Sequence, residues 1–407
     1  MDTTVLAVFA AVYLGMLLGE IPGLALDRAG VALLGAIALV ASGRLTVGAA
    51  WSAVDVPTIA LLLGLMVLSA QLRLGGFYAR VSGWLAGHEG SPERVLALLV
   101  AIAGLLSALL ANDIVCLAMA PILAAGCARR GLDPLPFLLG LAAAANVGSA
   151  ATLIGNPQNM LIGQTLRLSF HGYLLDALVP SLLGLGAVWA VIAWAFRGRW
   201  RRAVTLTRTE QRDLAFDRWQ TGKGIAVLAA LVAVFLFAPV PREAAALTAA
   251  GVLLLSRRTA SRDILGLVDW NLLVLFVGLF VVNHALLQSG MMADAVGGLR
   301  RAGIDLGRAP WLFGVTVVLS NLVSNVPAVM LLLPAALRHP QAGPILALAS
   351  TLAGNLLVVG SIANIIVVEQ ARRLGIAIGW RAHARTGVPI TLVTLAIAAG
   401  WLWLRAG

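Results

Sequence analysis

The chain alternates long apolar runs with short polar interruptions along its whole length. A helix that crosses the hydrocarbon core of a bilayer needs about 20 mostly apolar residues, and the runs predict two sets of helices on either side of one hydrophilic stretch. The first set lies near 4–20, 28–42, 56–86, 94–111, 114–127, 135–151, 157–168 and 172–197. The second set lies near 224–239, 242–256, 269–290, 310–324, 326–338, 345–359, 361–374 and 387–405. The pattern predicts an all-α protein with many membrane-spanning segments.

The amino-acid composition also indicates a polytopic membrane protein. Of the 407 residues, 60% are apolar and 12% are charged, and the mean hydropathy is +0.94. Ordinary soluble domains carry roughly 45–50% apolar and about 25% charged residues. A soluble enzyme is excluded because its surface needs more charge, and intrinsic disorder is excluded because it requires low hydrophobicity. The composition therefore predicts the lipid bilayer as a partner.

The formal charge of +11 has a topological explanation. All but one of the basic residues are arginine, and they lie between the apolar runs, as the positive-inside rule predicts. We therefore expect no nucleic-acid partner. Cys116 and Cys127 lie in apolar segments and predict neither a disulfide nor a metal site. Because the sequence shows no nucleophile motif and no metal-ligand cluster, we expect no enzymatic activity, no bound metal and no cofactor.

Short polar motifs recur in the same order on both sides of the hydrophilic stretch, which indicates an internal duplication typical of secondary transporters. The recurring pairs are Val54-Asp55-x8-Gly64 with Val268-Asp269-x8-Gly278, Ser107-x4-Asn112-x8-Pro121 with Ser320-x4-Asn325-x8-Pro334, and Gly155-x3-Asn159 with Gly360-x3-Asn364. We predict a first repeat at 1–197, with a hairpin at 92–130 and a broken helix at 135–168. A basic linker at 198–223 follows, and then a second repeat at 224–407, with a hairpin at 308–338 and a broken helix at 343–374.

Each half is predicted to have about five transmembrane crossings, and because five is odd the two repeats should have inverted topologies. The segment 1–19 is interpreted as the first span, since it lacks the basic start of a signal peptide. If the linker at 198–223 is cytoplasmic, most of the 29 basic residues lie on the cytoplasmic side. We expect a multi-pass protein of the cell's inner (plasma) membrane with both termini outside. A re-entrant hairpin enters and leaves the membrane on the same side, and so does a pair of full spans. Counting crossings therefore leaves both alternatives open for 92–130 and 308–338.

Four segments place polar residues and helix-breaking Gly or Pro inside apolar sequence, and together they form the candidate substrate or ion site. Pro157 lacks an N–H and disfavours helix at Asn156. Backbone groups freed by such a break survive at membrane depth only where they line a cavity or bind a guest. Helix N-termini favour anions, and freed carbonyls favour cations. The candidate residues are Ser107, Asn112, Asp113, Thr152, Gly155, Asn156, Asn159, Ser320, Ser324, Asn325, Asn355, Gly360, Ser361 and Asn364.

Asp113 is the candidate for ion coupling, because an acidic residue at membrane depth costs roughly 2.5–3.5 kcal/mol and usually has a function. The alternative is a surface turn, for which an Asn-Asp pair is suitable. Other polar residues have plainer explanations. Asp55 and Asp269 precede apolar runs and are interpreted as helix N-caps. His284 is interpreted as a helix-contact residue, with a proton relay as the alternative, and Glu369 as an ion-pair partner of nearby arginines.

At these residues the sequence resembles the ion transporter superfamily, which contains arsenite efflux permeases, sodium/proton antiporters, citrate permeases and divalent-anion/sodium symporters. The stretches that carry the resemblance are 111–113, 145–148, 155–160, 320–327 and 360–364. The run Gly-Asn-Pro-Gln-Asn-Met-Leu-Ile-Gly at 155–163 is most similar to anion permeases near the arsenite-pump branch. The resemblance implies scaffold helices and a moving transport domain with two opposed re-entrant hairpins and two broken helices.

The predicted hairpin tips differ from those of the anion symporters, in which Ser-Asn-Thr motifs bind Na⁺ and substrate. Here the tips read Asn-Asp-Ile at 112–114 and Asn-Val-Pro at 325–327, and neither keeps the threonine. The missing threonine argues against dicarboxylate recognition, and Asp113 instead suggests proton coupling, or a neutral or cationic substrate as in the arsenite branch.

These patterns predict a secondary active transporter with an alternating-access, elevator-like mechanism. Its substrate would be a small inorganic or organic anion or oxyacid, arsenite-like or carboxylate-like, coupled to H⁺ or Na⁺. A Na⁺/H⁺ antiporter is the alternative within the carrier class, and a passive ion channel is the alternative from another class. The substrate, the direction of transport and the stoichiometry stay open. The implied scaffold is of a kind that often dimerises, so a homodimer is a further option.

Overall fold

The computed structural model describes residues 2–19, 25–202, 216–337 and 339–406, and within these ranges it is helical without β-strands. The helices of the first half are α1 (Thr3–Leu18), α2 (Arg28–Ala41), α3 (Val47–Ala53), α4 (Val56–Leu74), α5 (Phe77–Gly87), α6 (Pro92–Leu109), α7 (Asn112–Arg129), α8 (Pro134–Ser149), α9 (Pro157–Thr165) and α10 (Phe170–Ala195).

The helices of the second half are α11 (Arg218–Phe237), α12 (Arg242–Leu254), α13 (Ser261–Leu265), α14 (Trp270–Gln288), α15 (Met291–Arg301), α16 (Ala309–Val323), α17 (Asn325–Ala336), α18 (Ala342–Ala353), α19 (Ile362–Arg373) and α20 (Trp380–Ala406). A short 3-10 turn, Val358–Gly360, precedes α19. Seven of the described helices are long and apolar enough to cross a membrane, namely α4, α6, α7, α10, α11, α14 and α20.

The two halves contain the same elements in the same order, including a hairpin (α6–α7 and α16–α17) and a broken helix (α8–α9 and α18–α19). The prediction of an all-α polytopic fold built from two such repeats is confirmed. The fourth helix of each half, α4 or α14, begins with the same kind of N-cap. Asp55 Oδ1 accepts from Thr58 N over 2.9 Å, and Asp269 Oδ1 accepts from Leu272 N over 3.0 Å. Both aspartates are therefore N-caps, as expected.

Two close helix crossings are copies of each other. A Cβ atom on Gly64 of α4 would lie 2.6 Å from the backbone carbonyl carbon of Ala246 in α12, and a Cβ on Gly278 of α14 would lie 2.6 Å from that of Ala32 in α2. Small residues allow helices to approach this closely. The same sequence spacing separates Gly64 from Gly278 and Ala32 from Ala246. Each half therefore packs its second helix against the fourth helix of the other half.

The two broken helices run in opposite directions. A Cβ on Gly343, at the start of α18, would lie 2.5 Å from Leu168, which follows the end of α9. In turn, α19 packs along α7 and α8. The second broken helix therefore begins where the first one ends, so the two halves are inverted. The ends of the first hairpin lie together, because Arg130 after α7 donates to Ala86 O and Gly90 O, which precede α6.

The centre of the protein is formed by α8 and α18. Each residue of α18 is buried, and α8 is buried at every residue except Leu135. Where α8 passes α6, Gly148 lies directly against the backbone of Gly104. Because each of these two buried helices ends at a break, the breaks lie in the protein interior.

Some predicted boundaries were wrong. The single helix expected at 56–86 is divided into α4 and α5 at Gly76, which has a φ of +72°. Gly290, with a φ of +77°, has the same place between α14 and α15. Glycine adopts this left-handed conformation at little cost. The short helices α3 and α13 were not predicted, because five to seven residues are too few to show a periodic pattern.

The end of the predicted linker at 198–223 is also corrected. Helix α11 begins at Arg218, and its first turn is anchored to the end of α4. Thr221 Oγ1 donates to Gly75 O over 2.8 Å, and the buried side chain of Gln220 contacts Gln71. The polar residues of this turn therefore belong to the folded helix. The middle of the linker, 203–215, lies outside the described residues.

Candidate functional site

The first broken helix is interrupted between α8 and α9 by a proline. Pro157 cannot donate a backbone hydrogen bond, and it keeps Asn156 extended at φ −151° and ψ 160°. The Asn156 side chain then caps α9 by accepting from Asn159 N over 2.9 Å. In the second half, Ser361 is extended at the equivalent place, with φ −139° and ψ 138°. Both gaps free backbone groups that a continuous helix would pair.

Asn159 and Asn364 satisfy equivalent carbonyl groups at the two breaks. Each is the third residue of its second half-helix, and each amide Nδ2 donates to two freed carbonyls. The four acceptors are Thr152 O (3.0 Å), Ser149 O (3.4 Å), Leu357 O (3.2 Å) and Gly354 O (2.7 Å). The two asparagines therefore stabilise the unwound segments in the same way.

Asn146 of α8 joins the two broken helices. Its Nδ2 donates to Asn355 Oδ1 over 2.9 Å and to Asn364 Oδ1 over 3.1 Å. Its Oδ1 accepts from Ser361 Oγ over 2.8 Å and from Asn112 Nδ2, at the tip of the first hairpin, over 3.4 Å. All five side chains are less than 5% exposed. One buried amide thus connects both breaks with a hairpin tip.

A second set of bonds lies across the breaks. Asn156 Nδ2 donates to Thr351 Oγ1 of α18 over 3.2 Å and to Ser149 Oγ over 3.0 Å. Gln158 Nε2 also donates to Thr351 Oγ1 over 3.2 Å. These neutral side chains extend the polar cluster towards the second hairpin.

The two hairpin tips contact the two breaks in related ways. The backbone N–H of Asn112 donates to Gly155 O over 3.2 Å. In the orientation that satisfies its amide, Asn325 Nδ2 donates to Gly360 O and Ser350 O, each over 3.0 Å. Ser320 Oγ also donates to Ser350 O over 3.0 Å. Each asparagine therefore binds the carbonyl of the glycine at the break of its own half.

Close packing at the tips requires special residues. A Cβ on Gly155 would collide with Ser149 O and would lie 2.8 Å from Ser107 O. Ser324, which separates α16 from α17, has a φ of +74°, a conformation that is uncommon for a residue other than glycine. Such backbone strain is frequent at binding sites.

Several buried polar atoms of this cluster have no hydrogen-bond partner within the described part of the chain. They are Ser107 Oγ, Asn112 Oδ1, Asn159 Oδ1, Asn321 Oδ1 and Asn355 Nδ2. A buried polar group without a partner costs roughly 1–3 kcal/mol. The cluster therefore offers both donors and acceptors to a small polar guest.

The structure brings most of the candidate residues together, and twelve of the fourteen are buried. The exceptions are Asp113 and Ser324, which are partly exposed. Thr152 lies at the edge of the cluster, where its hydroxyl donates to Ala108 O over 2.5 Å at the end of the first hairpin helix.

Asp113 lies one residue beyond the first hairpin tip, in the first turn of α7. No described residue donates a hydrogen bond to its carboxylate. Asp269 lines a cavity of about 590 Å³ between the helices α2 and α14 and the broken helix α19. At the place equivalent to Asp113 the second half has Val326, so only the first half has an acidic residue there.

Glu369 and His284 contact residues of their own helices. Glu369 pairs with Arg372 over 2.8 Å and with Arg373 over 3.1 Å, which confirms the predicted ion pair. His284 Nε2 lies 2.8 Å from Gln288 Nε2 one turn along α14.

The list of candidate residues omitted four members of the cluster, namely Asn146, Ser149, Gln158 and Thr351. Asn146 and Gln158 lie in stretches that carry the family resemblance but were not assigned to the site. Asn146 and Thr351 lie inside continuous buried helices, where no Gly or Pro break draws attention to them. The available signal was the helical spacing of Asn146 and Ser149 just before the first break, since residues three apart share a helix face.

The chain is similar over most of its length to known membrane proteins. It is 31% identical over 376 residues to a 46 kDa membrane protein of Mycobacterium leprae, which covers 86% of this chain and 87% of that protein. It is 28% identical to the silicon efflux transporter LSI3 of Oryza sativa subsp. japonica, with 93% of each chain covered. The solved structure of the YdaH transporter of Alcanivorax borkumensis has a TM-score of 0.60 at 16% identity, covering 100% of this chain and 97% of that one, and thus shares the fold.

Residues 5–353 also match the family described as citrate transporter. The matched region runs from α1 to the last residue of α18, and so contains both hairpins and the first broken helix. The resemblance to the ion transporter superfamily is thereby confirmed. The chain is a multi-pass membrane transporter without enzymatic activity, and it belongs to the citrate transporter family.

Proposed function

We propose that the protein is a secondary active transporter that carries a small oxyacid across the membrane by alternating access, coupled to H⁺ or Na⁺. One observation carries the proposal. Two inverted broken helices and two hairpin tips meet in one buried polar cluster in which several atoms lack a partner. Away from water, such groups need a guest or a cavity. A site built from two inverted halves suits a carrier that opens to each side in turn.

The groups at the site favour a solute with several hydroxyl oxygens. Asn112 Oδ1 and Asn159 Oδ1 can accept hydrogen bonds, Asn355 Nδ2 can donate, and Ser107 Oγ can do both. The side chains that form the cluster's hydrogen bonds, among the described residues, are all uncharged. A dicarboxylate would need cationic partners once desolvated. We therefore favour an undissociated, arsenite-like oxyacid over a carboxylate, and the similarity to a protein named silicon efflux transporter supports this choice.

Asp113 is the proposed coupling residue. It lies beside the polar cluster, in the first turn of α7, and is partly exposed. A carboxylate that lacks a fixed partner can take up and release a proton or a Na⁺ ion as its surroundings change. We propose that Asp113 exchanges its proton or Na⁺ ion with the cavity that Asp269 lines.

The proposed orientation follows the charge distribution. With the 198–223 linker in the cytoplasm of a bacterial-type inner membrane, the cavity at Asp269 opens to the cytoplasm and both termini lie outside. The hairpins are taken as re-entrant, because their tips meet the breaks of the central helices α8 and α18. The helices α1–α5 and α11–α15 would form the scaffold, and the hairpins with the broken helices would form the moving transport domain.

Purified protein in liposomes tests the proposal. Uptake of arsenite, silicic acid, phosphate, sulfate, citrate and succinate should be measured with and without pH and Na⁺ gradients. We expect saturable, gradient-dependent flux of an uncharged oxyacid, and loss of that flux in the Asn112→Ala variant. Flux of citrate or succinate alone would overturn the substrate choice. Currents far above carrier turnover would indicate a channel.

A Na⁺/H⁺ antiporter is the second candidate, and the freed carbonyls of the breaks favour it. Carbonyl oxygens at Gly155 and Gly360 lie close to the hairpin tips, and neutral oxygens are suitable Na⁺ ligands. The discriminating measurement is the internal pH of liposomes after a Na⁺ pulse without any other solute. A pH change in the wild type that is absent from Asp113→Asn would support exchange.

A further inference from the structure

The second helix of each half begins with an arginine. Arg28 is the first residue of α2, and Arg242 is the first residue of α12. They are separated in sequence by the same distance as Ala32 and Ala246, which make copied contacts with glycines of the opposite half. Arg28 and Arg242 are therefore equivalent residues at opposite ends of the inverted structure.

Arg242 is bound to the first broken helix. Its Nη2 donates to Gly163 O of α9 over 2.6 Å. The next residue, Glu243, accepts from Gln164 Nε2 over 3.0 Å. In the same region α9 packs against α4. These contacts close the space between the scaffold and the transport domain on this side.

The equivalents of these contacts can be read from the repeat. The spacing that relates Asn159 to Asn364 relates Gly163 to Val368 and Gln164 to Glu369. Arg28 corresponds to Arg242, and Ala29 to Glu243. If the two sides had the same arrangement, Arg28 would bind the carbonyl of Val368, and Ala29 would contact Glu369.

Instead, a cavity separates these residues. Arg28, Ala29, Val368 and Glu369 all line the cavity of about 590 Å³ that also contains Asp269. Glu369 pairs with the arginines of its own helix. Arg28 forms no ion pair with a described residue, and its buried Nε has no hydrogen-bond partner there. The contact that is closed at α12 is open at α2.

The hairpins show the same asymmetry. On one side α7 lies against α5, with Gly126 in direct contact with Ala86. On the other side an apolar cavity of about 500 Å³ lies between α15 and α17, lined by Met292 and Leu331 among others. The hairpins and broken helices are therefore displaced together towards one end of the scaffold.

We propose that Arg28 and Arg242 are positioning residues that hold the transport domain in its two end positions, an inference that rests on the alternating-access function proposed above. Arg242 holds Gly163 in the position seen here. In the opposite position Arg28 donates to Val368 O, Glu369 exchanges its own arginines for Arg28, and the bond between Arg242 and Gly163 opens. The contacts exclude each other because α9 and α19 are joined through the polar cluster and move as one body.

Paired cysteines in the full-length protein test this exchange. A Gln164→Cys/Glu243→Cys pair reports the position seen here, and an Ala29→Cys/Glu369→Cys pair reports the opposite one. The native Cys116 and Cys127 are buried and should not compete for a short bifunctional thiol reagent. We expect each pair to cross-link in membranes, and we expect a first cross-link at 164–243 to prevent the one at 29–369. Simultaneous formation of both cross-links, or failure of 29–369 to form, would overturn the proposal.

Single substitutions separate the role of the arginines from the motion itself. Arg242→Ala should raise the ratio of 29–369 to 164–243 cross-links about tenfold, and Arg28→Ala should lower it about tenfold, as expected for loss of one charge-assisted hydrogen bond. Arg300→Ala is the matched control, because this exposed arginine of α15 makes no side-chain bond to a described residue. Unchanged ratios in both variants would show that the arginines do not hold the end positions.

The cross-linking readout needs no substrate, so the two proposals can fail separately. Exchange of the two cross-links without any solute or ion flux would contradict the proposed function and leave the inference intact. Gradient-driven flux in a protein in which 29–369 never cross-links would contradict the inference alone.

Discussion

Ser361 donates a 2.8 Å hydrogen bond to Asn146, and this bond joins the second broken helix to the first. Its counterpart is the 3.2 Å bond from Asn156 to Thr351. The spacing from Asn146 to Thr351 equals the spacing from Asn156 to Ser361, so each bond is the inverted copy of the other. The polar cluster therefore lies on the axis that relates the two broken helices.

Asn146→Ala should impair both stability and transport. The substitution removes bonds to Asn355, Asn364 and Ser361 and leaves buried partners unpaired, which costs about 1–3 kcal/mol per orphaned group. We expect a lower unfolding temperature in detergent and loss of flux in liposomes. The control is Ser181→Ala in α10, which removes a buried hydroxyl that has no partner in the described structure. Equal behaviour of both variants would contradict the role given to Asn146.

Asn159→Ala and Asn364→Ala should have similar effects, because each removes the donor for two freed carbonyls. Each variant should lose about 1–3 kcal/mol of stability. Thermal unfolding followed by tryptophan fluorescence measures this loss. A large effect at one asparagine and none at the other would show that the two breaks are not stabilised alike.

Asp113→Asn should uncouple transport from the ion gradient while the protein remains folded. The substitution keeps the shape of the side chain and removes its charge. Flux should then follow the solute gradient alone, and the measurement is uptake with and without an imposed pH or Na⁺ gradient. Asp55→Asn is the control, since that aspartate caps α4 and an asparagine caps a helix equally well. Full gradient dependence in Asp113→Asn would exclude the proposed coupling role.

Gly64→Ala and Gly278→Ala should destabilise the scaffold. Each new Cβ would lie 2.6 Å from backbone atoms of the facing helix, so the helices must separate. Overpacking of this kind typically costs about 1–3 kcal/mol. Gly186→Ala in α10 is the matched control, because no heavy atom lies within 4 Å of its added Cβ and alanine favours helix. Lower stability in the control than in the scaffold variants would contradict the packing described for the two crossings.

The repeated architecture could be predicted because the repeated residues determine the local backbone conformation. Asp55 and Asp269 mark helix starts, and Pro157 marks a break, since their effects on the backbone are local. The asparagines of the breaks and tips were found for the same reason.

The part that sequence could not provide depends on tertiary contacts. Asn146 lies in an unbroken apolar helix, and only the approach of α8 to α7 and to the second broken helix gives it four partners. The gap between Arg28 and Val368 was also beyond prediction, because the repeat places an equivalent arginine on both sides while the structure closes the contact at Arg242 and opens it at Arg28.

Solute counterflow tests directly whether the amide cluster is a carrier site. Liposomes are loaded with unlabelled arsenite, and entry of a trace of labelled arsenite is followed without any ion gradient. We expect transient accumulation of label in the wild type and none in Asn112→Ala or Asn146→Ala. Accumulation that is unchanged in both variants would contradict a carrier role for the cluster.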